Sequence, residues 1–351
     1  MKPHFTTNEN EDFYAVIKQR VNHFFQQQSK HASNCVLFKT AFLFSTYLFC
    51  YLAIISNSYQ GASLILWYMA LGINMSLLGF NFTHDVMHGA FFANPQWNRI
   101  LSYFFDLNGT SSKVWKISHN IYHHTYTNIS GHDHDISKGT FLRLSPEAPL
   151  YPFHAYQHLY APFLYLLTSL NWTIYSDFHW LLKFYHQMTR RDIFLFLSFK
   201  VLYFLLFLIL PGLFLSAPAW QVLLGFFLLH CSGGFVSAIV FQLAHIVENL
   251  QFPSCPAGKM EDCWALHELK TTSNFASTSR FWNQLVGGLN CQIEHHLFPG
   301  ICHAHYSALS NIIKKTAQEK GYPYIEQPTF LAALCSHFKT LKRLGELKAP
   351  F

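Results

Sequence analysis

No lysine or arginine occurs between Lys39 and Arg99, or between Lys200 and Lys259, and long apolar runs fill both gaps. A bilayer needs about 20 consecutive apolar residues to be crossed by one helix. Four runs meet that length: 36–56, 62–82, 194–216 and 219–241. Charged residues make up 12% of the 351, against roughly 25% in soluble globular domains. These features predict an all-α integral membrane protein. Its four transmembrane helices pair into two hairpins, joined by the short uncharged links 57–61 and around Pro218.

The positive charges fall on one side of this arrangement, as cytoplasmic segments do. The net charge of +6 therefore needs no nucleic-acid partner. Segments 83–193 and 242–351 are expected to form a cytoplasmic helical cap, and 36–351 to be one catalytic domain. In the N-terminal segment 1–35, residues 12–27 place Tyr14, Ile17, Val21, Phe24 and Phe25 on one helical side. That helix is expected on the membrane surface or packed on the catalytic domain, with partner binding as the other reading. The first 30 residues show no apolar leader, with acids at Glu9, Glu11 and Asp12. Residues 159–175 are apolar, yet a single crossing there would strand the last histidine cluster on the far side, so an interfacial helix is predicted. The eight cysteines form no Cys-x-x-Cys pair and read as reduced thiols.

Three histidine clusters remain: His84-Asp85-Val86-Met87-His88, His119-Asn120-Ile121-Tyr122-His123-His124, and Gln292-Ile293-Glu294-His295-His296. Neutral imidazoles are the usual ligands of first-row transition metals. A spacing of four puts two rings on one helical face, and the extra neighbouring His sits about 100° around an α-helix. His245, just past the fourth apolar run, joins the set. Eight imidazoles exceed the needs of one ion, so the clusters predict a di-metal site of iron, copper or zinc. Gln292 would ligate weakly, hold a metal-bound water or orient a ring. Asp85, Asp133, Asp135 and Glu294 are acceptors for imidazole N–H groups or plain loop charges. No catalytic residue beyond the ligands stands out. His230, deep inside the fourth run, lies too far from the membrane exit to join the ligand set. His4, His23, His31, His179, His186, His267 and His337 read as surface residues. His132, His134, His154, His158, His303 and His305 stay outside the ligand set.

His-Asp-x-x-His, His-Asn-x-x-His-His-x-x-x-Asn ending at Asn128, and Gln-Ile-Glu-His-His-Leu-Phe-Pro ending at Pro299 resemble the membrane fatty-acid desaturases. The resemblance is to the branch whose third motif opens with Gln, which holds front-end, acyl-CoA and acyl-lipid desaturases. It extends from about Phe80 to Tyr306 and takes in 131–136, 156–158 and 242–245. It implies four transmembrane helices, two Fe ions, and O2-dependent insertion of a C=C bond into a long-chain acyl substrate. It further implies that His84, His88, His119, His123, His124, His245, His295 and His296 are the metal ligands. No His-Pro-Gly-Gly haem motif occurs, so electrons are expected from a separate donor, a ferredoxin or a b-type cytochrome with its reductase. The rival readings are a di-iron lipid hydroxylase or ketolase on the same scaffold, a membrane haem electron-transfer protein, and a metal transporter.

Overall fold

The computed structural model describes residues 3–6, 11–133, 135–136, 140–255 and 258–346. The chain is mostly helical. Among the described residues the named strands are Asn274–Phe275 and Glu326–Gln327, which pair in parallel. It divides into two compact units: Met1–Ala32, Ser118–Ala161 and Val240–Phe351 form one, Ser33–Ile117 and Pro162–Ile239 the other.

Four helices are long and apolar enough to cross a membrane: Asn34–Ile55, Ala62–Met87, Arg190–Phe214 and Ala219–His245. The second and fourth continue past their apolar runs, so His84 and His245 ride on the ends of these helices. In the second unit Asn34–Ile55 packs against Ala62–Leu78, and Ser33 caps the former by accepting from the Val36 amide. Phe38, Phe42, Leu66, Val201, Leu213 and Leu223 are exposed, as side chains that face lipid must be. Gly72 and Gly233 mark a close helix crossing, where Ser76 Oγ donates to the Gly233 carbonyl at 2.8 Å.

Residues 157–183 are broken helix. Gln157–Leu166 contains Pro162, which lacks an amide proton to donate. Thr168–Asn171, the π-turn Trp172–Ser176 and Asp177–Lys183 follow. No piece is long enough to span, while Leu159, Phe163, Ile174 and Leu182 are exposed.

In the first unit, helix Glu11–Phe24 lies on helix Tyr306–Glu319. Phe13, Ile17 and Val21 are buried in one core with Leu309, Ile313 and Ala317. Arg20 seals the contact with bonds to Thr316 Oγ1 at 2.9 Å and Glu319 Oε2 at 2.6 Å. The N-terminal helix is thus packed against the chain's own helix Tyr306–Glu319. All eight cysteines are free. Two histidines correct the sequence reading: His267 and His337 are fully buried. His337 donates Nδ1–H to the Ile246 carbonyl at 2.7 Å. It lies on the side of helix Phe330–Glu346 that buries Ala333, Ser336, Thr340, Leu341 and Leu344, a periodicity that already marked it as inward.

A candidate metal centre

The second cluster does not sit on an α-helix. Ser111 caps the short helix Ser112–Trp115 by accepting from the Val114 amide at 3.3 Å, and the chain then widens into a π-helix, Lys116–His123. Closure through i→i+5 bonds gives roughly 4.4 residues per turn, so positions four and five along straddle one direction. His123 and His124 therefore both face His119. Ring centroids lie 4.9 Å and 4.8 Å from it, and the His119 and His124 Nε2 atoms approach to 3.2 Å. The wider turn narrows the step between neighbours from about 100° to roughly 80° and centres the pair on the His119 direction.

Helix Gln292–Leu297 brings His295 and His296 to the same place, and helix Ala219–His245 ends there in His245. Three imidazole nitrogens, one each from His123, His245 and His296, lie within 4.8 Å of one another; so do those of His124, His295 and His296. His119, His123 and Asp135 form a third such group.

The outward nitrogens explain how the rings are aimed. His296 Nδ1 meets Glu268 Oε2 at 2.8 Å, and His123 Nδ1 meets Asp133 at 3.1 Å. His119 Nδ1 lies 3.4 Å from Asp135 Oδ2, and His245 Nδ1 3.5 Å from the Thr271 carbonyl. Carboxylates and carbonyls accept here, so Nδ1 carries a proton in these four rings and Nε2 is the atom left to face a cation. His295 Nδ1 is held by the Tyr306 hydroxyl at 3.1 Å, leaving its Nε2 as the inward atom as well. Five rings with Nδ1 engaged fit a cation at the convergence of the Nε2 atoms.

Charge points the same way. Burial pulls the His123 imidazole down, but Asp133 and Asp135 outweigh it and lift the ring to about 9. Burial lowers His119, against a smaller upward pull from Asp135. Burial pushes the Glu268 carboxyl well above the usual range, despite the Thr127 hydrogen bond. Asp133 and Glu268 are both fully buried. Asp133 and Asp135 thus favour positive charge on the His123 ring. A bound cation would supply that charge in place of a proton and offset the cost of burying the carboxylates.

The model of the family described as fatty acid desaturase matches residues 60–328. The chain belongs to the fatty acid desaturase family. An sn-1 linoleoyl-lipid 6-desaturase of Synechocystis sp. is 36% identical over 349 residues, covering 95% of this chain and 96% of that protein. An acyl-lipid (8-3)-desaturase of Physcomitrium patens is 34% identical, covering 96% of this chain and 72% of the relative. A second sn-1 linoleoyl-lipid 6-desaturase, from Arthrospira platensis, is 36% identical over 79% of this chain and 77% of its own. The protein is thus a membrane oxidoreductase.

In this desaturase the first cluster lies in the second unit. The π-turn Gly79–Thr83 precedes it, and the His84 and His88 rings stand 4.7 Å apart, each edge-on to Trp115 at 5.8 Å and 5.5 Å. Asp85 is buried between them in sequence, its backbone carbonyl accepting from the Ala90 amide at 2.8 Å. Gln292 donates Nε2–H to the Leu289 carbonyl at 2.9 Å. Glu294 is bound by Asn274 Nδ2 at 2.7 Å and the Tyr324 hydroxyl at 2.9 Å, and burial lifts its carboxyl to about 7. His230 is satisfied within the second unit, Nε2 at 2.9 Å from the Tyr203 hydroxyl and Nδ1 at 3.0 Å from Ser169 Oγ. His134 lies outside the described residues.

Glu268, Tyr306 and Thr271 escaped the sequence reading, since none stands in a histidine motif. Glu268 had one signal: an acid between Leu266 and Leu269 on helix Trp264–Thr271, five of whose central residues are buried. Asn128, the motif's closing residue, takes φ +59° and spreads its Nδ2 over the carbonyls of His245, Gln251 and Thr271 at 3.0–3.3 Å. It ties the second motif to the segment that presents His245.

Proposed function

We propose that this desaturase inserts a C=C bond into the acyl chain of a membrane lipid, using O2 and a pair of iron ions. The observation that carries the reading is the common setting of five imidazoles, Nδ1 engaged and Nε2 inward. The ligands assigned are His119, His123, His124, His245, His295 and His296, with His84 and His88 assigned on their motif. Gln292 is assigned an orienting role, as are Asp85 and Glu294 through the ligand-bearing helices. A lipid-borne substrate is supported by the names of the relatives, which act on linoleoyl-lipid and acyl-lipid. We further assign two hairpins, a cytoplasmic cap that carries the site, a first domain boundary near 35, and electrons from a ferredoxin or b-type cytochrome.

When bound, the irons supply with O2 and two external electrons the oxidising power that takes hydrogen from two adjacent methylenes, and water is the other product. The protein's own part is orientation and exclusion. Asp133, Asp135, Glu268, Tyr306 and the Thr271 carbonyl hold the rings from behind, so that little rearrangement is needed at the moment of reaction. Burial of the cluster keeps bulk water from competing for the same positions.

Metal analysis of protein purified in mild detergent tests this, alongside His124→Ala and His295→Ala. The reading requires about two irons per chain, falling in both variants, and host lipids whose acyl chains lose two hydrogens. Acyl chains that gain oxygen would make the enzyme a hydroxylase. Failure to bind any metal from an iron-supplemented medium would overturn the site.

A further inference from the structure

We propose that Glu268 is a positioning residue that fixes which way His296 presents its metal-binding nitrogen. This rests on the reading that the clustered imidazoles hold metal. His296 is common to both imidazole triads of the first unit, one with His123 and His245, the other with His124 and His295. Its ring centroid lies 4.9 Å from those of His123 and His245 and 4.4 Å from that of His124. Nε2 has one lone pair and serves one ion, so the rotation of the ring decides which triad it completes. Without a partner on Nδ1 the imidazole can also exchange tautomers and turn the wrong nitrogen inward.

Glu268 removes both freedoms. Its Oε2 sits 2.8 Å from His296 Nδ1, and neither side chain has any solvent exposure. The same oxygen accepts from Thr127 Oγ1 at 3.0 Å. Thr127 also lies 2.7 Å from the His123 carbonyl and 3.3 Å from His296 Nδ1. One carboxylate oxygen thus joins the third histidine motif to the end of the second. Both groups are buried, where a hydrogen bond is stronger than in water. Among the described residues, Glu268 itself belongs to none of the candidate ligand groups. It comes from helix Trp264–Thr271, outside the three motifs.

The test loads full-length wild type, Glu268→Gln and Glu268→Ala with 57Fe in detergent and reads three things. These are iron per chain, the rate of iron loss to an excess of chelator, and the Mössbauer quadrupole splitting. Loss of a group that orients a metal-bound imidazole weakens metal binding by about 10–100-fold. Glu268→Ala is expected to release iron at least tenfold faster, with a changed quadrupole splitting at one of the two sites. Glu268→Gln keeps an acceptor and the volume but not the charge, so it falls between. It also carries the test if Glu268→Ala does not fold. Variants that hold iron with wild-type release rate and spectrum would overturn the proposal while leaving the metal reading intact. A wild type that binds no iron would overturn both.

Discussion

Lys200 Nζ sits 2.7 Å from Asp177 Oδ2, although Lys200 lies within the spanning helix Arg190–Phe214 and the two side chains are 8% and 6% exposed. The ammonium also donates to the carbonyls of Gly109 at 2.6 Å and Thr173 at 2.8 Å, so its three protons are used. Asp177 Oδ2 accepts as well from the Ser111 amide at 2.7 Å. The network fastens the cap of helix Ser112–Trp115 and the stretch 172–183 of the broken helix to a membrane span. Removing one partner of such a pair leaves a buried charge, at a cost of about 3–5 kcal/mol. Asp177→Ala should therefore lose stability on that scale in thermal melts in mild detergent. Adding Lys200→Met should recover part of it. Additive losses in the double variant would show that the pair is not coupled.

The crossing at Gly72 makes a sharper steric prediction. A Cβ on Gly72 would stand 2.0 Å from the Leu229 carbonyl oxygen, and one on Gly233 would stand 2.6 Å from the Gly72 oxygen. Both obstacles are backbone, so neither can swing aside. Small residues let membrane helices approach this closely. Gly72→Val should abolish folded protein in detergent, judged by size-exclusion profile, and Gly233→Ala should weaken it. Gly212→Ala, with nothing within 4 Å of the new carbon, should match wild type. Equal yields from all three would refute the packing.

Asp106 supplies a pH dependence outside the metal centre. Burial lifts its carboxyl to about 7, while the hydrogen bond from Ser112 pulls down and the Asp177 charge pushes up. An unfolded carboxyl titrates near 4. Between these values the folded chain keeps a proton that the unfolded chain has released. Stability from this group is then full at low pH and falls as pH rises, by about 1.4 kcal/mol per unit, levelling above about 7. Asp106→Asn keeps an acceptor for the Ser112 amide, 3.1 Å away, and removes the titration. The wild type should lose melting temperature relative to the variant from pH 4.5 to 7. A constant difference across that range would count against it.

Much of the molecule was legible because its signals are local and repeated. A run of about 20 mostly apolar residues announces a span whatever it packs against. A histidine motif announces metal chemistry wherever it is carried. The π-helix Lys116–His123 was not legible, since nothing in Lys-Ile-Ser-His-Asn-Ile-Tyr-His separates closure at i+4 from closure at i+5. Partners drawn from distant segments were hidden for a different reason. Glu268 meets His296 across 28 residues, and Thr271 meets His245 across 26, so only the packed chain reveals them. Asp133, ten residues from His123, was near enough to suspect. Glu294 was equally near, yet it is bonded by Asn274 and Tyr324, because adjacent positions on a helix point in different directions.

Tyr306 separates orientation from charge. Its hydroxyl holds His295 Nδ1 at 3.1 Å, and its side chain is fully buried at the start of helix Tyr306–Glu319. The bond is between neutral groups, about half as strong as one to a carboxylate. Tyr306→Phe keeps the ring in the core it shares with Leu309 and Ile313, and deletes only the oxygen. The apo protein should lose about 1 kcal/mol of stability, the net worth of one such bond. Iron release to a chelator should quicken by several-fold, less than for Glu268→Ala, with no change in the number of irons bound. Release as fast as in His295→Ala would mean that the hydroxyl, and not the imidazole, dominates retention, and the assignment of His295 as a ligand would fail.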